Sequence, residues 1–452
     1  MAVRVGRNAA FNAAGVVVPA LCGVLAMPVL LENMGLERVG IFALLLGFYG
    51  FSGFFDFGLS RALTQSVAAN DGFVHAKQKI ESAVVKVLMA SLILGTLWAC
   101  LFYLSADLLT LRVFRLDDAL QIEAASAMRW FAVSLPPLLL SGCAVGVLEG
   151  LQLFGKVNLL RVPLSVSMII VPAVWSSFNP GLDSVLVGMV GLRVLALVFW
   201  LLLVKSAIHR ISDYKEARIS SSTTKSLWQF SAWLSISNLV GPIIGYSDRF
   251  YLAIVYPMQY LAYYTVPLDT LMRAMGVPSA AANAVFPAIA RAGVDSVETA
   301  ALFKGAIFVT ACFWALPLIV LSSILPMVLE LWVGPAFREN SLELTRWLIL
   351  GVMLNGFSHI PYALMHAAGR TDLTARLHLL QLPLYFLMLW VLVSRLGAEG
   401  AAIAWSARIL VDAMMLYAVA FTQFKLAKGL VRVSVLVPIV MIIIFGISVY
   451  AF

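Results

Sequence analysis

Charge is scarce in this chain. Only 12% of its 452 residues are Asp, Glu, Lys or Arg, while 62% are hydrophobic. A soluble domain carries about 25% charged residues, so the composition excludes one. The mean hydropathy of +0.95 belongs to a polytopic membrane protein. Cysteine is scarce too. Cys22, Cys100, Cys143 and Cys312 lie far apart, without CxxC spacing, inside apolar runs. That pattern excludes a disulfide framework or thiolate metal site and reads as four small buried residues. Long polar loops are missing: the longest, Lys205 to Lys225, has about twenty residues. GxxxxGK[ST], HExxH and Gly-x-Ser-x-Gly are absent. A membrane glycosyltransferase or ligase has nowhere to hold its chemistry, so the expectation is a chain that moves something and is not an enzyme. The net charge of +8 is no nucleic-acid signature, because most basic residues fall in short loops between apolar runs.

What the chain does have is apolar runs, thirteen of them: 8–31, 40–69, 80–105, 125–148, 157–178, 183–208, 226–255, 260–290, 303–329, 343–367, 375–394, 400–421 and 433–451. The basic start MAVRVGRNAA leads into a run too long for a signal peptide, so the first helix is retained. Lys and Arg concentrate in alternate loops, which puts the N-terminus in the cytoplasm. Arg112 and Arg115 are the exception. A thirteenth span would put the C-terminus outside.

The expected architecture is all-α: two pseudo-symmetric six-helix bundles around a central cavity, plus an extra C-terminal helix. The N-lobe is 1–208, a cytoplasmic linker is 209–225, the C-lobe is 226–423, and 424–452 holds the thirteenth span. An internal repeat supports the division. Gly155-Lys156 matches Gly369-Arg370 at an offset of about 214, and Arg193 matches Arg408 at about 215. Val39–Leu44 pairs more weakly with Leu261–Val266. Prolines inside the runs, among them Pro136-Pro137, Pro163, Pro172, Pro278 and Pro317, predict bent helices.

Some charges lie inside the spans, where an ionised side chain costs at least about 2.5–3.5 kcal/mol if it faces lipid. They are Asp56 and Arg61, Arg129, Arg193, Asp248 and Arg249, Asp269 and Arg273, and Arg408 and Asp412. Asp269/Arg273 and Arg408/Asp412 are four apart and share a helix face, so each can pair in place or mark a substrate or ion path. Asp56 and Arg61 are about 140° apart around a helix, which makes their pairing less direct. Arg129 and Arg193 have no acid within four residues. Unpaired arginines suit an anionic substrate, because the guanidinium fork matches phosphate oxygens. His359 fits a hydrogen bond within the bundle better than proton relay.

The first two spans resemble the start of the bacterial O-antigen and polysaccharide flippases. The pattern is Asn12 in the first helix, a short loop at Gly35, Val39-Gly40-Ile41, then Asp56-Phe57-Gly58-Leu59 with Ala62. The Gly-Lys and Gly-Arg loops fit the same family, part of the multidrug/oligosaccharidyl-lipid/polysaccharide exporter superfamily. The resemblance implies two six-helix bundles in a V and an undecaprenyl-diphosphate-linked oligosaccharide as cargo. It implies alternating access from the cytoplasmic to the periplasmic leaflet of the bacterial inner membrane, driven by a proton or sodium gradient with no cofactor. A polysaccharide polymerase is a further expected partner. On this reading Arg61, Arg129, Arg193, Arg273 and Arg408 meet the diphosphate, while Asp56, Asp248, Asp269 and Asp412 couple an ion or pair with arginines. Asp56 is expected to tether Arg61, Arg129 or Arg193, or to bind the ion. The alternatives are a cation-coupled multidrug exporter, a peptidoglycan-precursor (lipid II) flippase and, further off, a membrane glycosyltransferase or ligase. The thirteenth span departs from the family's usual twelve.

Overall fold

A computed structural model describes residues 2–70, 76–210, 224–293, 296–424 and 428–450. The side chains of 2–17, 76, 224–239, 283–284, 287, 290, 428–429 and 450 are outside that description. The expected linker core, 211–223, and the side chain of Asn12 therefore lie outside the described residues. Everything described is helix, turn or short connection, with no strand among the described residues.

The helices are α1 (Ala2–Gly50), α2 (Ser52–Phe55), α3 (Leu59–Asn70), α4 (Ala76–Leu108), α5 (Asp118–Val133), α6 (Leu135–Gly150), α7 (Phe154–Phe178) and α8 (Leu182–His209). Then come α9 (Thr224–Val255), α10 (Met258–Arg273), α11 (Gly276–Ala292), α12 (Val297–Thr310), α13 (Leu316–Val333), α14 (Pro335–Ala367), α15 (Thr371–Gln423) and α16 (Lys428–Tyr450). Two π-helical turns, Leu109–Val113 and Ala311–Ala315, extend α4 and join α12 to α13.

Two glycines with non-helical backbone each divide a long helix into two helical segments. Gly35 (φ 79°) kinks α1 and Gly397 (φ 63°) kinks α15. Both have left-handed φ, which only glycine takes cheaply. Each sits where a loop between two apolar runs was expected, so α1 and α15 each cover more than one run. Nine helices among the described residues are long and apolar enough to cross a membrane. The three expected spans outside that set, 40–69, 226–255 and 260–290, hold Asp56, Asp248 and Asp269. Four of the prolines expected to bend spans instead lie in first turns, where a missing N–H is harmless: Pro136-Pro137 in α6, Pro278 in α11 and Pro317 in α13.

The chain divides into two compact units, Met1–Thr224 with Ala253–Gln259, and Lys225–Leu252 with Tyr260–Phe452. In the first, α6 is central. It packs on α3, α4 and α8, while α7 packs on α1 and α8. Glycine makes the α3–α6 contact close: a Cβ on Gly146 would stand 2.7 Å from the Ser60 carbonyl oxygen. Leu63, Val67, Ile80, Val84, Val147 and Trp200 close the core beside it. Of the cysteines, Cys143 is buried there, but Cys100 and Cys312 are exposed, correcting the expectation that all four are buried. Outward positions of a membrane helix face hydrocarbon, so an apolar run does not imply a buried side chain.

In the second unit α14 is central, packed by α11, α12, α13, α15 and α16. The thirteenth expected span is α16, which lies on α12 and α13 with Ser448 Oγ 3.0 Å from Ser322 Oγ.

Candidate functional site

The Asp56-Phe57-Gly58-Leu59 motif breaks the second span. Asp56 closes α2, Phe57 (φ 48°) and Gly58 (φ 79°) take left-handed φ, and α3 starts at Leu59. Asp56 Oδ2 accepts the Ser60 backbone N–H at 2.9 Å, satisfying one free donor in the first turn of α3. Asp56 is only 7% exposed, and its Oδ1 has no hydrogen-bond partner. No arginine lies within ion-pair distance of it among the described residues, so the expected tether to Arg61, Arg129 or Arg193 is not made. The backbone break, which residue spacing on a continuous helix does not anticipate, supplies the carboxylate with a closer donor. Arg61 is exposed on α3.

Arg129 was expected to stand without an acid. Instead its Nη2 lies 2.7 Å from both oxygens of Asp107, and its guanidinium carbon lies 5.8 Å from the Tyr103 ring centre. Asp107, 22 residues earlier at the end of α4, lies beyond the one helical turn over which spacing alone marks a pair.

Arg193 does stand without a carboxylate among the described residues. Its guanidinium carbon lies 3.9 Å from the ring centre of Tyr49, a cation–π contact, and its Nε is buried without a hydrogen bond. Tyr49 is held by its hydroxyl, 2.7 Å from Ser134 Oγ. Arg193 also lines a cleft of about 160 Å³ with Arg161, Ser141, Ser165 and Trp200. Arg161 is paired with Glu149 at 2.7 Å. Nothing in the sequence spacing marks Tyr49, over a hundred residues away, as the partner of Arg193.

In the second unit both expected same-helix pairs are replaced by contacts between helices. Asp269 takes Arg249 (Nη2 to Oδ1 2.5 Å, Nη1 to Oδ2 3.3 Å) rather than Arg273, whose Nη1 is buried without a partner. Arg273 is the last residue of α10, where the chain turns at Ala274-Met275. Asp248 is fully buried. It accepts the Tyr264 hydroxyl and, at 2.8 Å, the Arg249 backbone N–H. Arg408 makes no ion pair with Asp412. Its guanidinium carbon lies 5.4 Å from the Tyr385 ring centre. Asp412 accepts Gln381 Nε2 at 2.7 Å and has His378 Nε2 at 3.8 Å. His359 lies 3.0 Å from Ser279 Oγ, the bundle hydrogen bond expected of it.

The repeat-related arginines thus share a chemistry. Arg193 and Arg408 each rest on a tyrosine and make no ion pair with a carboxylate among the described residues. The tyrosines come from different places, Tyr49 from α1 and Tyr385 from α15, so the likeness lies in the arginines and not in their partners.

Comparison with known proteins agrees with this architecture. A Shigella flexneri protein provisionally named an O-antigen transporter is 25% identical over 416 residues, covering 91% of this chain and 96% of that protein. A solved inward-facing multidrug resistance MATE family transporter of the MOP superfamily superposes with a TM-score of 0.70 at 15% identity, covering 91% of this chain and 98% of its own. The lipid II flippase MurJ, in an inward closed conformation, superposes with a TM-score of 0.68 at 13% identity, covering 97% and 98%. These two likenesses establish a shared fold, all-helical and multi-pass. The sequence profile of one family, polysaccharide biosynthesis protein, matches residues 5–292. With that match spanning more than half its length, the chain belongs to the polysaccharide biosynthesis protein family.

Proposed function

We propose that this protein flips an undecaprenyl-diphosphate-linked oligosaccharide, an O-antigen or capsule/exopolysaccharide repeat unit, across the bacterial inner membrane. The N-terminus is cytoplasmic, the cargo moves to the periplasmic leaflet, and an ion gradient drives alternating access. A polysaccharide polymerase then receives the unit. Arg193 carries the reading: a guanidinium inside an apolar helix, with no carboxylate, resting on Tyr49 and lining a cleft with Arg161. A permanent cation kept from acids in low dielectric is suited to a diphosphate, which hydrocarbon alone would exclude. Arg408, 9% exposed and set against Tyr385, is the matching group of the other unit. Of the expected arginines, Arg129 is committed to Asp107 and is the weakest candidate. The O-antigen name of the Shigella relative supports the cargo class. A drug exporter for cations fits less well, because Asp248 and Asp269 are engaged by Tyr264 and Arg249.

The test is surface glycan in a deletion strain complemented with Arg193→Ala, Arg193→Lys and Arg408→Ala at matched protein levels. Alanine at either site is expected to abolish most export, and lysine to restore part of it. Wild-type glycan from both alanine variants overturns the cationic site.

A further inference from the structure

Helix α14 is buried along most of its second half, with one interruption. Asn355, His359, Tyr362 and His366 are half-exposed while their neighbours from Gly351 to Met365 are buried. The spacing of four, three and four residues makes them a single stripe on one helix face. Three of the chain's five histidines belong to this region: His359 and His366 on the stripe, and His378 on the first half of α15. Asp412, on the second half of α15, is the acid beside His378. His378 Nε2 is 3.8 Å from its Oδ1, and His359 and Tyr362 are within its electrostatic reach. His366 stacks on Tyr362, ring centres 4.0 Å apart, and feels the charge of His378. Gln381 is 1% exposed and donates Nε2–H to Asp412, yet its own Oε1 has no partner; neither has His366 Nε2.

We propose that Asp412 is the proton-binding carboxylate of this transporter, and that His378 hands it the proton. The proposal rests on the transport reading above and makes the coupling ion H⁺ rather than Na⁺. Hard cations take oxygen ligands, whereas the nearest groups at Asp412 Oδ1 are the nitrogens of Gln381 and His378. In the step itself, the His378 imidazolium gives its Nε2 proton to Asp412 Oδ1. Imidazolium and carboxylate become imidazole and carboxylic acid, with no change in total charge. The 3.8 Å separation is crossed by side-chain movement or through one bridging water. Gln381 serves both states. Its Nε2–H binds the carboxylate, and after a turn of the amide its free Oε1 accepts the acid's O–H. The charges around Asp412 are Arg408 on its own helix, His378 on the first half of α15, and His359 with Tyr362 on α14. Neutralising Asp412 raises the positive potential at Arg408, one turn away, which favours an anionic cargo.

The experiment uses full-length protein. Infrared difference titration in sodium-free buffer is expected to show a protonated-carboxyl band in wild type that is lost in Asp412→Asn. In cells, glycan export by wild type is expected to follow external pH. Asp412→Asn and His378→Gln, both retaining hydrogen-bonding side chains, are expected to lose that dependence. An unchanged band in Asp412→Asn, or wild-type export that follows sodium and ignores pH, overturns the proposal. If wild type fails to restore glycan to the deletion strain, the transport reading fails, whatever the band shows. If glycan is restored while the Asp412→Asn band and the pH dependence persist, only the proton site fails.

Discussion

Arg249 on α9 grips Asp269 on α10 with both Nη atoms, at 2.5 and 3.3 Å, and so takes the carboxylate that lies one turn from Arg273. The Arg249 side chain is 6% exposed and that of Asp269 is 26% exposed. Removing one partner of a buried pair leaves an uncompensated charge at a cost of about 3–5 kcal/mol. Arg249→Ala should therefore lower the unfolding midpoint of purified protein far more than Arg273→Ala, which breaks no ion pair. Equal losses would mean that Asp269 is shared between the two arginines.

Arg193 and Tyr49 allow a finer test than deleting the cation. Tyr49→Phe retains the ring and loses only the hydroxyl contact to Ser134, at about 1 kcal/mol. Tyr49→Leu removes the ring face as well, forfeiting about 0.5–2 kcal/mol of cation–π attraction. Phenylalanine should export near wild-type glycan and leucine markedly less, at equal protein levels. The opposite order would shift the tyrosine's importance from its face to its hydroxyl.

The break at Asp56 carries separable costs. Asp56→Ala loses the cap on the Ser60 N–H, about 1 kcal/mol. Asp56→Asn keeps an acceptor and should cost less. Gly58→Ala puts a Cβ at φ 79°, costing about 1–2 kcal/mol with open space around it. Thermal unfolding should rank Asn above both alanine variants. An Asn variant as unstable as Asp56→Ala would show that the charge, not the cap, holds the turn.

Two glycines separate packing from propensity. Ala is favoured over Gly inside a helix by about 1 kcal/mol. At Gly191 the space is open, so Gly191→Ala should be neutral or slightly stabilising. At Gly146 the new methyl meets the α3 backbone at 2.7 Å, and overpacking of about 1–3 kcal/mol outweighs the gain. Gly146→Ala should lower the unfolding midpoint, and a rise would mean that α3 can move off α6 without loss.

Much of the helical layout was legible because a segment facing lipid must be long, apolar and internally hydrogen-bonded. Runs such as 157–178 and 183–208 match α7 and α8 within a few residues. The second span was harder. Its composition reads as one apolar helix, and only the left-handed Phe57 and Gly58 reveal that Asp56 ends one helix and starts another. The repeat pointed to Arg193 and Arg408, and both arginines prove to be held without carboxylates.

The sequence alone determined membrane residence, the all-helical class and which residues carry charge within the apolar runs, because hydrocarbon penalises exposed backbone and charge in any fold. Tertiary structure decided the partners. Asp107 with Arg129, Arg249 with Asp269 and Gln381 with Asp412 are 22, 20 and 31 residues apart. A neighbouring helix can aim two N–H groups, or a fresh donor, straight at a carboxylate. Side chains four residues apart must lean along their own helix to meet. The better-directed contact wins, and its identity follows only from which helices pack together.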